Sequence, residues 1–93
     1  MNQIKLNHLS IIIFTKPACP GCALLTPKMI NYCTEQKINY AEFDVSTTEG
    51  LAEANKYRVQ GVPAVIIKLG EELMGGFVGG PFELIKKKIE GLR

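Results

Sequence analysis

Ile11-Ile12-Ile13-Phe14-Thr15-Lys16-Pro17-Ala18-Cys19-Pro20-Gly21-Cys22-Ala23-Leu24-Leu25 decides how this chain folds. Three isoleucines and a phenylalanine in a row form an apolar run of strand length, suited to burial on both faces. A short polar turn follows. Cys19 then falls at the start of a helical pattern, with Pro20 at the first helical position, where a missing N–H costs nothing and φ is already suitable. Cys22 lies one helical turn on, which brings the two Cα atoms to roughly 5 Å, within disulfide reach. The two sulfurs are not equivalent. Unpaired N–H groups and the macrodipole at the helix start favour a thiolate at Cys19. Cys22, inside the first turn, faces whatever the helix packs on. An exposed, activated sulfur beside a shielded one is the layout of a nucleophile and its resolving partner. A ring this small restrains the unfolded chain too weakly to serve mainly as a staple.

Outward from this stretch, 46% apolar and 22% charged residues are ordinary for a soluble globular domain. The 93 residues suffice for a single domain, 1–93, with a modest core. A net charge of +2, with no basic stripe interleaved with aromatics, argues against nucleic acid as a partner. The longest apolar runs, 11–14 and 62–67, fall far short of a membrane span. Met1 to His8 contain one lysine and no sustained apolar region, so no signal peptide is read and a cytoplasmic location is expected. Three cysteines, two of them in one CxxC, do not make a disulfide framework; in a reducing compartment they point to catalysis or metal.

Residues 1–9 lack periodicity and read as a lead-in; the first strand, about 10–14, is expected at the centre of its sheet. In the helix after it, Cys22, Leu25, Met29 and Cys33 recur every three or four residues, a core-facing stripe that persists to about Lys37. Pro27 interrupts the stripe without ending it, which predicts a kink. Residues 38–45 alternate as a second strand. Ser46-Thr47-Thr48-Glu49 is a capping-box pattern opening a helix to about Tyr57, with Gly50 an awkward guest in its first turn. A third strand led by proline is expected over 62–67, and a turn at 69–72 returns the chain as an antiparallel strand over 73–78. Gly75-Gly76 there predicts a bulge or an edge position. The last helix begins at Pro81 and places Phe82, Ile85, Ile89 and Leu92 on one face, with Lys86, Lys87 and Lys88 on a solvated remainder. The order is β-α-β-α-β-β-α: an α/β structure with a four-stranded mixed sheet, helices on both faces, and the first two strands parallel through a right-handed crossover.

On the residues alone the CxxC admits three readings: redox chemistry, a local disulfide, or half of a metal site. A zinc site needs about four ligands, and only Cys33 and His8 remain, at no recognised spacing. Cys33 shares the stripe of Leu25 and Met29 and reads as a small buried hydrophobe. His8, Tyr32, Tyr40 and Tyr57 read as surface or packing residues.

With the CxxC at a strand-to-helix junction in this order of elements, the chain resembles the thioredoxin/glutaredoxin superfamily from about residue 10 to its end. Pro27, five residues after Cys22, resembles the helix-kinking proline of thioredoxins. Val62-Pro63 resembles the cis-proline segment that faces the redox pair in both branches, and Gly79 the glycine that ends the last thioredoxin strand. The resemblance implies a thioredoxin-like fold and a thiol–disulfide oxidoreductase that reduces protein or small-molecule disulfides with no bound cofactor. It implies Cys19 and Cys22 as the catalytic pair and redox disulfide. Lys16, Val62, Pro63 and Gly79 become substrate-binding residues: Lys16 beside the thiolate or a substrate carboxylate, Val62 and Gly79 offering main-chain hydrogen bonds, Pro63 filling the space beside the sulfurs. The alternative is a thioredoxin-fold binding module whose CxxC holds zinc or an iron–sulfur cluster.

The two branches divide the chain. Pro20 directly after the first cysteine and Lys16 three residues before it are similar to glutaredoxins, as is Gly75-Gly76 if it is the pair that holds glutathione. Phe77-Val78-Gly79 follows that pair, with no acidic residue for the tripeptide's amino group, and the segment from Asn55 to Pro63 is similar to thioredoxin. Unlike thioredoxins, the chain has no tryptophan, Ala18 precedes Cys19, and Ile13 stands where a buried aspartate assists deprotonation of the second cysteine. A monomer is expected, its electrons returned by a thioredoxin-reductase-type flavoenzyme or by glutathione, the flavoenzyme coupling better.

Overall fold

The fold is described from a computed structural model over residues 8–93. Its elements are β1 (Leu9–Thr15), α1 (Pro20–Gln36), β2 (Asn39–Asp44), α2 (Thr48–Lys56), β3 (Ala64–Leu69), β4 (Glu72–Val78) and α3 (Phe82–Gly91). The order is the expected one. Of the lead-in expected over 1–9, residues 1–7 lie outside the described residues, and Leu9 already opens β1.

The four strands lie in the order β2-β1-β3-β4. β1 pairs parallel with β2 and antiparallel with β3, and β3 pairs antiparallel with β4. The isoleucine run thus has a neighbour on each side and a helical layer on each face. Ile11 and Ile13 are fully buried against Leu25, Met29 and Cys33 of α1 and Ile85 and Ile89 of α3. On the other face Phe14 packs with Ala54 of α2 and with Ala64 and Ile66 of β3. Phe14 and its register partner Phe43 stack there, ring centroids 5.9 Å apart. Strand alternation separates the two cores, α1 and α3 covering one and α2 the other.

Several boundaries differ from the sequence reading, each for a local reason. β2 starts at Asn39 because the Ile38 N–H closes the end of α1, donating to the Cys33 carbonyl at 2.8 Å. Lys37, in the left-handed region at φ 58°, turns the chain out of that helix, which runs unbroken past Pro27. β3 begins at Ala64, so Val62 and Pro63 precede the strand; proline has no N–H to offer a ladder. α3 begins at Phe82, with Pro81 as its N-cap. In β4, Ile67 faces Gly75 while Lys68 faces Leu73, which leaves Met74 as a bulge in a strand that is also an edge.

The cap of α2 is built from different residues than the motif implied. Thr47, not Ser46, is the N-cap, its hydroxyl accepting the Gly50 N–H at 3.0 Å. Ser46 donates its N–H and its hydroxyl to the Asp44 carboxylate at 2.8 and 2.6 Å, which holds that carboxyl below its ordinary range. Gly50 fits for a steric reason: a Cβ there would run into the Asp44 carbonyl.

Where α1 meets α3, Tyr32 donates to Glu90 at 2.8 Å and sets its ring edge-on to Phe82. Burial, then this hydrogen bond to a carboxylate, pushes the Tyr32 phenol up to about 12, and burial alone pushes the Cys33 thiol up to about 11. Both groups fold in the neutral form, so the unfolded chain ionises first. Their contribution to stability is complete below about pH 9 and is lost progressively toward pH 12. The urea midpoint is expected to fall between about pH 9 and 12, with Cys33→Ala flattening the early part of the fall and Tyr32→Phe the later part. A midpoint constant across that range contradicts the burial argument.

Candidate functional site

β1 delivers the chain to the site. Its last residue, Thr15, accepts the Val45 N–H at 2.9 Å, so the strand stays tied to β2 up to the turn. Lys16, Pro17 and Ala18 then cross to the helix, Ala18 in the left-handed region at φ 57°. This turn sets Cys19 down as the N-cap of α1, a position that serine, threonine or aspartate usually fills. The sulfur takes the capping role: it accepts the Cys22 N–H at 3.2 Å, while the Cys19 carbonyl accepts from the Ala23 N–H at 3.0 Å. An N–H aimed at the sulfur and the positive end of a 17-residue helix both favour the thiolate once the pair is reduced.

Cys19 and Cys22 are joined as a disulfide with their Cα atoms 5.2 Å apart, close to the spacing expected from the helix. Cys19 is half-buried, whereas Cys22 is only 3% exposed. The asymmetry read from the sequence is therefore present in the packing.

Two further loops converge on this turn. The Val62–Pro63 peptide is cis, and Pro63 is buried directly against α1. A Cβ at Gly21 would lie 3.2 Å from the Pro63 Cδ, so the small residue in the middle of the CxxC lets helix and proline approach. The Pro63 carbonyl in turn accepts the Gly79 N–H at 2.7 Å, with Gly79 at φ 67°, a conformation that favours glycine. Two openings flank the junction. A groove of about 400 Å³ runs between α1 and the β4–α3 loop, lined among others by Leu24, Lys28, Pro63, Gly79 and Glu83. A cleft of about 540 Å³ lies on the β2 side and holds Lys16, both sulfurs, Thr26 and Glu42.

Of the residues singled out in the sequence, Lys16 thus joins Cys19 and Cys22 in the cleft, while Pro63 and Gly79 line the groove. Val62 turns its side chain into the core around Phe14. Gly75 and Gly76 do not reach the site: they lie within β4, opposite Ile67 and Ile66, so the glycine at the junction is Gly79. The sequence reading missed Glu83, a carboxylate that lines the groove from α3, and Leu24, an apolar side chain 71% exposed. Leu24 had a signal, since it lies off the buried stripe. Glu42 had none, because its neighbourhood depends on strand register. No group of three or more metal-ligating side chains occurs among the described residues, and Cys33 is fully buried between α1 and α3. That donor set does not fit zinc.

Thiol–disulfide exchange requires a sulfur held as an anion, a second sulfur within bonding distance and an approach for a substrate. This geometry supplies a helix terminus that favours the anion once the pair is reduced, the second sulfur and the approach, and so defines a dithiol exchange protein. The Thioredoxin family model matches residues 1–90, and the chain belongs to that family. It is 30% identical over 79 residues to a probable thioredoxin of Archaeoglobus fulgidus, covering 85% of this chain and 87% of the relative. An H-type thioredoxin of Brassica campestris is 29% identical over 83 residues, covering 89% of this chain and 67% of that protein. Among solved structures, Fasciola hepatica thioredoxin superposes with a TM-score of 0.83 at 22% identity, covering 99% of this chain and 86% of the other. A mutant thioredoxin from Halobacterium salinarum superposes with a TM-score of 0.80 at 26% identity, over 95% of this chain and 77% of the other. The chain is a thiol–disulfide oxidoreductase, a protein-disulfide reductase whose partners are, in general, disulfide-bearing proteins and a reductase.

Proposed function

We propose a cytoplasmic, monomeric dithiol reductase in which Cys19 attacks and Cys22 resolves. The observation that carries this division is the Cys22 N–H donating to the Cys19 sulfur at 3.2 Å, with Cys22 itself buried behind it. Cys19 thiolate attacks a substrate sulfur, forms a mixed disulfide and expels one substrate thiolate. Cys22 then attacks the Cys19 sulfur, forming the intramolecular disulfide and releasing the second substrate thiolate. Two electrons pass from the dithiol to the substrate.

An extended substrate segment lies along Val62 and Gly79, held by backbone hydrogen bonds as a short added strand. The Gly79 N–H is already taken by Pro63, so its carbonyl is the group on offer. Lys16 faces the thiolate or a substrate carboxylate, and Pro63 closes the space beside the sulfurs.

For the electron donor, a thioredoxin-reductase-type flavoenzyme is favoured over glutathione. The glycine pair similar to a glutathione-holding motif lies within β4, away from the groove. Lacking its charge-assisted contacts, glutathione is expected to bind about ten- to a hundredfold more weakly than where they are complete. Glu83 lines the groove on α3 and not the Gly75-Gly76 segment, so it does not restore that motif. One disulfide substrate is reduced at steady state under each donor system. Faster turnover with glutathione than with the flavoenzyme overturns this assignment.

A further inference from the structure

Glu42 lines the cleft that holds both sulfurs, although it comes from β2 and is distant in sequence. Its place follows from register. Glu42 pairs with Ile13 across the parallel β1–β2 ladder, and partners in such a ladder emerge on the same face. Ile13 lies in the core beneath α1, so Glu42 also rises on the α1 side, while the next pair, Phe14 and Phe43, stack on the opposite face. No hydrogen bond or ion pair occupies the Glu42 carboxylate among the described residues.

The resolving step needs such a group. Cys22 is 3% exposed, and a buried thiol gives up its proton reluctantly. Ile13, under the helix, has no oxygen to offer. One turn beyond Cys22, the Thr26 hydroxyl lines the same cleft and is buried without a hydrogen-bond partner among the described residues. It shares the cleft lining with the shielded sulfur and the carboxylate, and so is a polar group available to pass a proton between them. The other titratable groups lining the cleft are Lys16, from the loop after β1, and the sulfurs themselves. Along β2, Tyr40 and Asp44 share the Glu42 face, but the Asp44 carboxylate is taken up by Ser46. The charges of α2 lie across the sheet, since that helix packs on the Phe14 face.

We propose that Glu42 accepts the Cys22 proton in the resolving step, directly or through the Thr26 hydroxyl. This rests on the roles proposed above for the two sulfurs. With Cys19 joined to substrate, the proton moves from the Cys22 thiol to the Glu42 carboxylate. The Cys22 thiolate attacks the Cys19 sulfur, the Cys19–Cys22 bond forms, and the Cys19–substrate bond breaks. The departing thiolate leaves as the reduced product, and Glu42 returns its proton to that thiolate or to water. No other reactant is needed.

An aromatic disulfide such as dithiobis(nitrobenzoate) separates the two steps. The reduced protein releases one coloured thiolate when Cys19 attacks and a second when Cys22 resolves. Glu42→Gln is expected to slow the second release on the order of a hundredfold at neutral pH, within the usual range for a positioned base. The first release should keep its rate to within about twofold. The deficit should close above about pH 9, where solvent deprotonates thiols unaided, and Glu42→Asp should recover part of the rate. An unchanged second release, or a deficit of constant size from about pH 6 to 10, overturns the assignment. If the native protein gives no first release, the proposed function itself fails and this inference with it.

Discussion

Cys19→Ser is expected to abolish disulfide reduction, whereas Cys22→Ser should attack substrate normally and then accumulate as a mixed disulfide. The difference follows from where each sulfur sits. Cys19 is half-buried at the helix N-terminus, with an N–H aimed at it, so it is held as the nucleophile. A serine hydroxyl in its place is essentially un-ionised at neutral pH, and a loss of at least about a thousandfold follows. Cys22 is shielded, and removing it leaves the first attack intact but takes away the group that ends the encounter. Alkylation of the reduced protein at mildly acidic pH should label Cys19 first. Cys33 should stay unlabelled, because burial in the core raises its thiol to about 11. Faster labelling of Cys33, or full turnover by Cys22→Ser, would reverse the roles or remove them.

Gly50→Ala is expected to be the most destabilising of the conservative substitutions considered. Helix propensity alone predicts a gain of about 1 kcal/mol from alanine at a helical glycine. The packing opposes it, since the added Cβ meets the Asp44 carbonyl, a backbone group that cannot rotate aside. Overpacking costs about 1–3 kcal/mol, and a contact with fixed backbone belongs at the upper end of that range, so the clash wins by about 2 kcal/mol. For a domain of this size that lowers Tm by roughly 8–16 °C. Gly91→Ala is the control: a Cβ there meets nothing within 4 Å, and the substitution should be neutral or slightly stabilising. Equal Tm values for the two variants would show that the β2–α2 turn yields more easily than its packing implies.

Much of this arrangement was legible in the chain itself. The isoleucine run, the stripe from Cys22 to Cys33 and the short turn before β4 are local patterns whose period fixes the element type. The Cys19–Cys22 asymmetry was legible for the same reason, since both residues belong to one helical turn. What escaped was set by groups remote in sequence. Gly50 looked like a poor helix former because its reason for being there is the Asp44 carbonyl, outside the helix. The capping pattern at Ser46 read one residue early, because Asp44 claims the Ser46 hydroxyl. Gly75-Gly76 and Gly79 could not be told apart as site residues until the β3–β4 register placed the first pair within the strand. Glu42 entered the cleft only through its pairing with Ile13.

Ala18 has a consequence beyond its own turn. At φ 57° it occupies a conformation that costs a residue with a Cβ about 1–2 kcal/mol relative to glycine. Behind it stands a strand locked between two neighbours, and ahead of it a 17-residue helix. These two bodies bound the bend, which Lys16, Pro17 and Ala18 carry between them. The Cys19 sulfur is therefore aimed by the scaffold acting through this turn. Damage far from the sulfurs, at Gly50 or in the isoleucine layer, should surface first as misalignment of the nucleophile, in molecules that are still folded. Loosening the joint with Ala18→Gly should do the reverse, adding tolerance in the scaffold while blurring the line of attack.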